Sequence, residues 1–311
     1  MGYYLLKRIL LFIPTLLGIT LITFVLMQAL PGDPVAGMAG ERATAETIAR
    51  IRSELGQDRP LPLQYLGYVK LLATGELGRS YYTNRKISDD LLQKFPNTIR
   101  LALAAMLFAS IFGIGLGTLA AVKRGTNWDR VIAFVTVGGI SIPVFWLGLA
   151  LMLVFSLYFR VLPPSGMGNG RLEYLILPAV TLGTFSLSYI ARVTRSSMLE
   201  SLSQPYIAAA RAKGLSETRV VLKHALKNSL IPIVTLIGLD LGSYLNGAVL
   251  TETIFGWDGL GRYALDGILK RDYPVIMGVV LFGAFVFVTM NLLVDLSYHL
   301  LDPRVRIKSG D

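Results

Sequence analysis

Five uncharged runs shape this chain: Ile9 to Leu30, Leu101 to Val122, Val131 to Phe159, Tyr174 to Ala191 and Tyr273 to Val294. A sixth, Asn228 to Thr251, is interrupted only by Asp240. At about 1.5 Å per residue, each is long enough as a helix to cross a hydrocarbon core of about 30 Å. Lipid offers no partner for backbone polar groups, so a run of this kind must satisfy them within itself as an α-helix. The reading is an all-α membrane protein with six transmembrane helices. Pro143 lies inside the third and longest run, which is expected to form one tilted or kinked helix. Composition agrees: charged residues make up 16% of the chain against about 25% for a soluble domain, and mean hydropathy is +0.57. With no cysteine, disulfides, thiolate metal sites and cysteine nucleophiles are excluded, and two histidines, His224 and His299, make a poor metal cluster, so no metal site is expected.

Charge gives the orientation. With the N-terminus inside, six spans leave residues 1–8, 123–130, 192–227 and 301–311 on the inner face, and these hold fifteen of the thirty Lys and Arg residues. The short outer loops hold only Arg160, Arg171, Arg262, Lys270 and Arg271, with Arg100 at a boundary. The remaining nine lie between Pro31 and Asn97, a segment long enough to escape the positive-inside rule. Both termini are therefore expected in the cytoplasm. The organisation is an N-terminal span (1–30), an external segment (31–97), a five-helix core (98–301) and a tail (302–311). Lys7 and Arg8 precede the first run, but its length suits an uncleaved signal anchor better than a signal peptide. The external segment opens on Pro31-Gly32-Asp33-Pro34, continues as an amphipathic helix through Ile48, Ile51 and Leu55, and breaks at Pro60 and Pro62. Gly113 with Gly117, and Gly238 with Gly242, have the GxxxG spacing that lets helices approach closely.

Within the inner segment 198–228, an alanine-rich helix from Tyr206 stops at Gly214, a suitable left-handed cap. Ser216 is placed to N-cap a second helix with Val220, Val221, Leu222 and Leu226 on its apolar face. A basic helix-turn-helix invites a nucleic-acid reading, yet this one is tethered between two spans and offers no aromatic platform, so no nucleic acid is expected. It reads as a docking surface for a cytoplasmic partner, against the plainer alternative of an amphipathic connector resting on lipid.

In the outer loop 252–274, Gly259-Leu-Gly261-Arg-Tyr-Ala264 fits a dinucleotide fingerprint by letters, but no strand precedes it and Asp272 is too near to serve as the ribose acid. The glycines are read as permitting a tight re-entrant turn at the outer mouth. No phosphate-binding G-x-x-x-x-G-K-[ST] sequence occurs, so the chain supplies no ATP site of its own. Asp240, Asn246 and Asp295 are the polar candidates within the spans. Charge there is costly and points to function by default. An aspartyl protease dyad is a poor fit, since neither aspartate has a glycine-rich surround. Proton coupling through Asp240 and Asp295 in a secondary transporter is the stronger rival. The bland reading pairs Asp295 with a nearby cation and has Asp240 facing a wet cavity or accepting bonds from neighbouring helices.

Taken together, Pro31-Gly32-Asp33-Pro34, Pro60-Leu61 with Gln64-Tyr65, Gly75-Glu76-Leu77-Gly78-Arg79-Ser80, the stretch from Ala208 to Gly214, Glu252 to Arg262, and Arg271-Asp272-Tyr273-Pro274 make the chain resemble the inner-membrane permeases of ABC peptide importers. That class serves dipeptides, oligopeptides, glutathione and nickel. Ala208-Ala209-Ala210 resembles the loop through which the ATPase engages such a permease, although the family's Glu is Ala208 here. The resemblance implies a type I importer fold with an external domain between helices 1 and 2. It assigns ATPase coupling to Ala208, Ala209, Ala210, Arg211, Lys213, Gly214, Leu215, Ser216 and Glu217. It assigns an outer mouth or gate to Glu252, Phe255, Trp257, Gly259, Gly261, Arg262 and Asp272. It further implies a second, similar permease, two ATPase subunits that hold ATP and Mg, an external substrate-binding protein, a peptide-like substrate, and residence in a bacterial or archaeal cytoplasmic membrane. The chain itself would hold no cofactor and catalyse nothing.

Overall fold

A computed structural model describes residues 2–29 and 58–301. The expected turn at Pro31–Pro34, the amphipathic helix through Ile48, Ile51 and Leu55, and the tail lie outside the described residues. Among the described residues there is no β-strand, only an isolated bridge between Arg79 and Lys86. The helices are α1 (Gly2–Ala29), α2 (Leu61–Ala73), α3 (Ile87–Val122), α4 (Asn127–Ser141), α5 (Val144–Tyr158), α6 (Glu173–Leu202), α7 (Pro205–Ala212), α8 (Glu217–Leu245), α9 (Val249–Ile254), α10 (Leu260–Lys270) and α11 (Tyr273–Leu301).

Among the described residues, α3, α6, α8 and α11 are long and apolar enough to cross a membrane, and α4 with α5 makes a fifth span if the bent pair counts as one. The sixth expected span corresponds to α1, whose qualifying apolar stretch is the shorter Ile13–Val25. The expected continuous third span is broken: α4 and α5 meet at 105°. Proline explains it, because Pro143 has no amide to donate and forces Ile142 out of the helical region, to φ −80° and ψ 125°. The run from Asn228 to Thr251 differs at both ends. Its helix begins at Glu217, eleven residues before the uncharged run, and stops at Leu245, short of Thr251. The second helix expected after Ser216 and the following span are therefore one continuous rod. Its turns over Val220–Ala225 are wound as a π-helix.

Helices in lipid gain little from apolar burial alone and associate by close packing of small residues. The central pair, α3 and α6, does this in both directions. A Cβ on Gly117 would sit 2.4 Å from the Ala191 carbonyl oxygen, and one on Gly183 would sit 2.5 Å from the Ala105 carbonyl oxygen. Of the two GxxxG spacings, Gly113 and Gly117 thus face a neighbouring backbone. Around this pair, Met106, Ala109, Leu187, Ile190 and Ile233 form a buried cluster with α8. Outside it, α1 packs on α11 and is tied to α2 by a 3.0 Å bond between Thr20 and Tyr65 hydroxyls.

Candidate functional site

At one end of the bundle the loop from Val249 to Asp272 folds around a buried acid. Glu252 is fully buried, and its carboxylate accepts a bond from the Thr98 hydroxyl at 2.9 Å and from the Arg262 amide at 2.9 Å, with the Gly261 amide also donating. Thr98 in turn accepts the Leu260 amide at 2.8 Å. Those amides are the first turn of α10, which a helix leaves without internal partners. An anion belongs at such a terminus, and here the chain's own carboxylate fills the place. The two glycines are required by that approach. A Cβ on Gly259 would lie 2.5 Å from the Glu252 carboxyl carbon, and one on Gly261 2.7 Å from the Val249 nitrogen. The letters that mimic a dinucleotide fingerprint thus do wrap an anion, but an internal one. Burial pushes the Glu252 carboxyl above its ordinary value despite the bonds it accepts.

The rest of the loop is fastened to α3 and to the segment before it. Phe255 and Trp257 are buried, and the Trp257 indole donates to the Asn97 carbonyl at 2.9 Å. Asn97 donates back to the Asp258 carbonyl at 2.8 Å, and Lys94 pairs with Asp258. Asp272, also buried, accepts the Ser80 hydroxyl at 2.5 Å and the Tyr81 amide at 3.2 Å. Of the seven residues expected at an outer gate, Glu252, Gly259, Gly261 and the Arg262 backbone meet in one nest, Trp257 and Phe255 pack beside it, and Asp272 serves a separate joint. Lys94, Asn97, Thr98 and Asp258 complete the assembly and escaped the sequence reading. They lie some 160 positions from their partners or look like ordinary surface polar residues.

At the opposite end, α6 runs to Leu202 and α7 begins at Pro205. Ile207 and Ala210 of α7 are buried against Met198, Ala121, Val220 and Ala225. Tyr206 shares a 2.6 Å bond with Ser201 and accepts the Asn228 amide at 2.9 Å, so α6, α7 and α8 are stitched together. The other face of α7 is open: Ala208, Ala209, Arg211, Lys213 and Gly214 are exposed, as are Ser216 and Glu217, with Leu215 half-buried. Gly214 closes the helix at φ +73°, as expected of a left-handed cap. Ser216 has the extended backbone of an N-cap, but its hydroxyl makes no capping bond. Leu222, expected on the buried face, is 55% exposed. Arg211 holds Glu217 at 2.7 Å on the surface.

Between these ends, Asp240 of α8 accepts the Ser186 hydroxyl of α6 at 2.5 Å, and the single Tyr244 hydroxyl proton is divided between Ser186 Oγ at 2.7 Å and the Leu182 carbonyl at 2.9 Å. Asn246 donates to the Gly242 carbonyl at 3.0 Å, a local bond within one helix end. Asp295 stands in α11, with its side chain outside the described ones. Among the described residues no group of three or more His, Cys, Asp and Glu is placed to hold a metal.

A multi-span helical membrane protein with a packed helical hairpin at one end and a loop folded around a buried acid at the other is the class these features define. Residues 113–307 match the model of the binding-protein-dependent transport system inner membrane component, and residues 1–102 match the N-terminal component of the same systems. The chain belongs to that family and is a permease subunit of an ABC importer, a transport subunit and not a catalytic one. It is 42% identical over 335 residues to the dipeptide transport system permease DppB of Escherichia coli (strain K12), covering 98% of this chain and 99% of the relative. It is 44% identical over 327 residues to the di/tripeptide permease DppB of Pseudomonas aeruginosa, covering 96% and 97%. The glutathione permease GsiC of Salmonella choleraesuis is 43% identical over 305 residues, covering 98% and 99%. In three dimensions, a chain of the MetNI methionine ABC transporter in an inward-facing conformation superposes with a TM-score of 0.59 at 19% identity, covering 68% of this chain and 96% of that one. The shared architecture is the type I importer permease fold, in a family of bacterial inner-membrane multi-pass proteins that work with ATPase and substrate-binding partners.

Proposed function

We propose that this permease carries short peptides, in a complex with a second similar permease, two ATPase subunits and an external binding protein. The substrate class rests on one observation: identity of 42 to 44% over nearly the whole chain to permeases of dipeptide, di/tripeptide and glutathione systems. In this reading α1 is the first of six spans, taken from the uncharged runs, and the lysine and arginine distribution supports cytoplasmic termini. In this reading the open alanine face of α7 docks the ATPase, and the loop around Glu252 closes the outer mouth. The mechanism is alternating access. Because α6, α7 and α8 are stitched together, a displacement of α7 on ATP binding is carried into two spans at once.

Uptake of a labelled dipeptide into vesicles holding the whole complex tests this. Uptake should need ATP on the α7 side and survive a protonophore. Asp240→Asn should keep most of it, because an amide oxygen still accepts the Ser186 hydroxyl. Uptake by this chain alone, driven by a pH gradient and lost in Asp240→Asn, would instead establish the proton-coupled rival.

A further inference from the structure

On the side of the bundle that carries α7, the ends of α3, α4 and α6 enclose a cleft of about 440 Å³. Its walls are largely apolar, made by Ala120, Ile132, Ala133, Val137 and Ala191 with Thr136, whose hydroxyl is turned back to the Ala133 carbonyl at 3.0 Å. Its mouth is cationic. Arg195 is held in place there: its Nε and Nη2 donate to the two oxygens of Asp129 at 2.7 and 2.9 Å, and the Gly125 amide donates to the same carboxylate at 3.0 Å. Arg130 and Arg192 line the same cleft, are exposed, and have no side-chain bond or ion pair among the described residues. One acid thus faces three arginines, and exposed Lys123 and Arg124 stand in the adjoining turn. Away from the mouth, α4 presents Val131, Phe134 and Val135, which are 54, 80 and 54% exposed.

A cationic mouth opening onto an apolar lane matches a ligand with an anionic head and a hydrocarbon tail. A free phosphate or a peptide carboxylate would use the arginines and leave the lane empty. Basic pockets between transmembrane helices on the cytoplasmic side suit anionic lipid headgroups. The geometry points to an anionic phospholipid bound here, its phosphate between Arg130, Arg192 and Arg195 and one acyl chain along Ile132, Ala133 and Val137. The assignment rests on the orientation proposed above, which puts this cleft in the inner leaflet.

The test uses the assembled transporter, exchanged into phosphatidylethanolamine containing a small fraction of cardiolipin, with retained lipid counted by native mass spectrometry. The double variant Arg130→Gln with Arg192→Gln should retain roughly thirtyfold less cardiolipin with the complex mass unchanged, since each basic side chain adds about 1 kcal/mol of attraction and about 1.4 kcal/mol is tenfold. Arg192→Lys in place of Arg192→Gln should restore much of it. Equal retention by the double variant would overturn the proposal. So would displacement of cardiolipin by alanyl-alanine, which would make the cleft part of the substrate path. Loss of the second permease from the double variant would do the same, showing that the arginines hold that subunit. A cysteine at Thr126, labelled by a membrane-impermeant reagent, reports the orientation separately. Labelling from outside would refute the topology whatever the lipid count.

Discussion

Two glutamates, Glu252 and Glu217, stand at opposite ends of this permease. Glu252 is fully buried, accepts bonds from a hydroxyl and from the amides that open α10, and is enclosed by two glycines that leave no room for a side chain. Glu217 opens α8 with its side chain 66% exposed and is held by Arg211, itself 46% exposed. The first arrangement makes the Val249–Asp272 loop a solid joint whose parts move together. The second leaves the alanine-rich face of α7 exposed, while the buried side of the same helix is locked to two spans. One end of the molecule is thus closed by its own groups, while at the other one face of α7 stays open.

The sharpest way to break this comparison is to remove both acids in turn. Glu252→Ala orphans the Thr98 hydroxyl and two amides and should destabilise the subunit by about 3 kcal/mol. Glu217→Ala should leave stability unchanged, because exposed ion pairs contribute little. Thermal unfolding of the purified complex measures both, and equal losses would show that the two ends do not differ as described. Next in size, Ala209→Trp on the open face of α7 should leave the subunit folded but weaken its hold on the ATPase subunits about tenfold, as overpacking a fitted contact does. A pull-down titration would reveal it, and unchanged binding would put the docking surface elsewhere. Gly214→Val should cost about 1 kcal/mol, since a Cβ there meets nothing within 4 Å and the penalty is confined to the left-handed backbone. Coupled ATP hydrolysis should fall while the subunit stays in the membrane. Full coupling would detach the cap from the mechanism.

The smallest effect concerns pH. The Glu252 pKa is raised in the folded protein, so between the ordinary value and the raised one the folded state keeps a proton that the unfolded chain has released. Its contribution to stability is present at and below the ordinary carboxylate value of 4.5 and is lost as pH rises from there through the raised folded value. Hydrogen exchange of the Val249–Asp272 amides, corrected for intrinsic rates, should therefore show protection weakening over that range in the wild type and staying flatter in Glu252→Gln. The opposite slope would mean that the nest prefers the carboxylate.

Much of this was legible because lipid imposes a simple rule. Uncharged runs of sufficient length mark helices, and the runs around α3, α6 and α11 do so directly. The rule failed where a span is not defined by absence of charge. Lys223, His224 and Lys227 hid the continuity of α8 back to Glu217, and Pro143 reads as a kink until the backbone of Ile142 is seen to leave the helix. Gly214 was readable because a left-handed cap is a local property of the chain. The nest at Glu252 and the Asp129–Arg195 pair were not, since each joins residues many helical turns apart and each partner alone looks like ordinary surface charge.

The π turns at Val220–Ala225 add one residue to what an α-helix would need over the same path. The stretch below them, which faces α7, and the stretch above them, which meets Ser186 through Asp240, are therefore clocked against each other by about 100°, one residue's rotation. Straightening that segment by deleting a single residue would improve its hydrogen bonding. It would also turn the Ser216–Arg219 end away from α7, so that a better-formed helix would be a misaligned shaft.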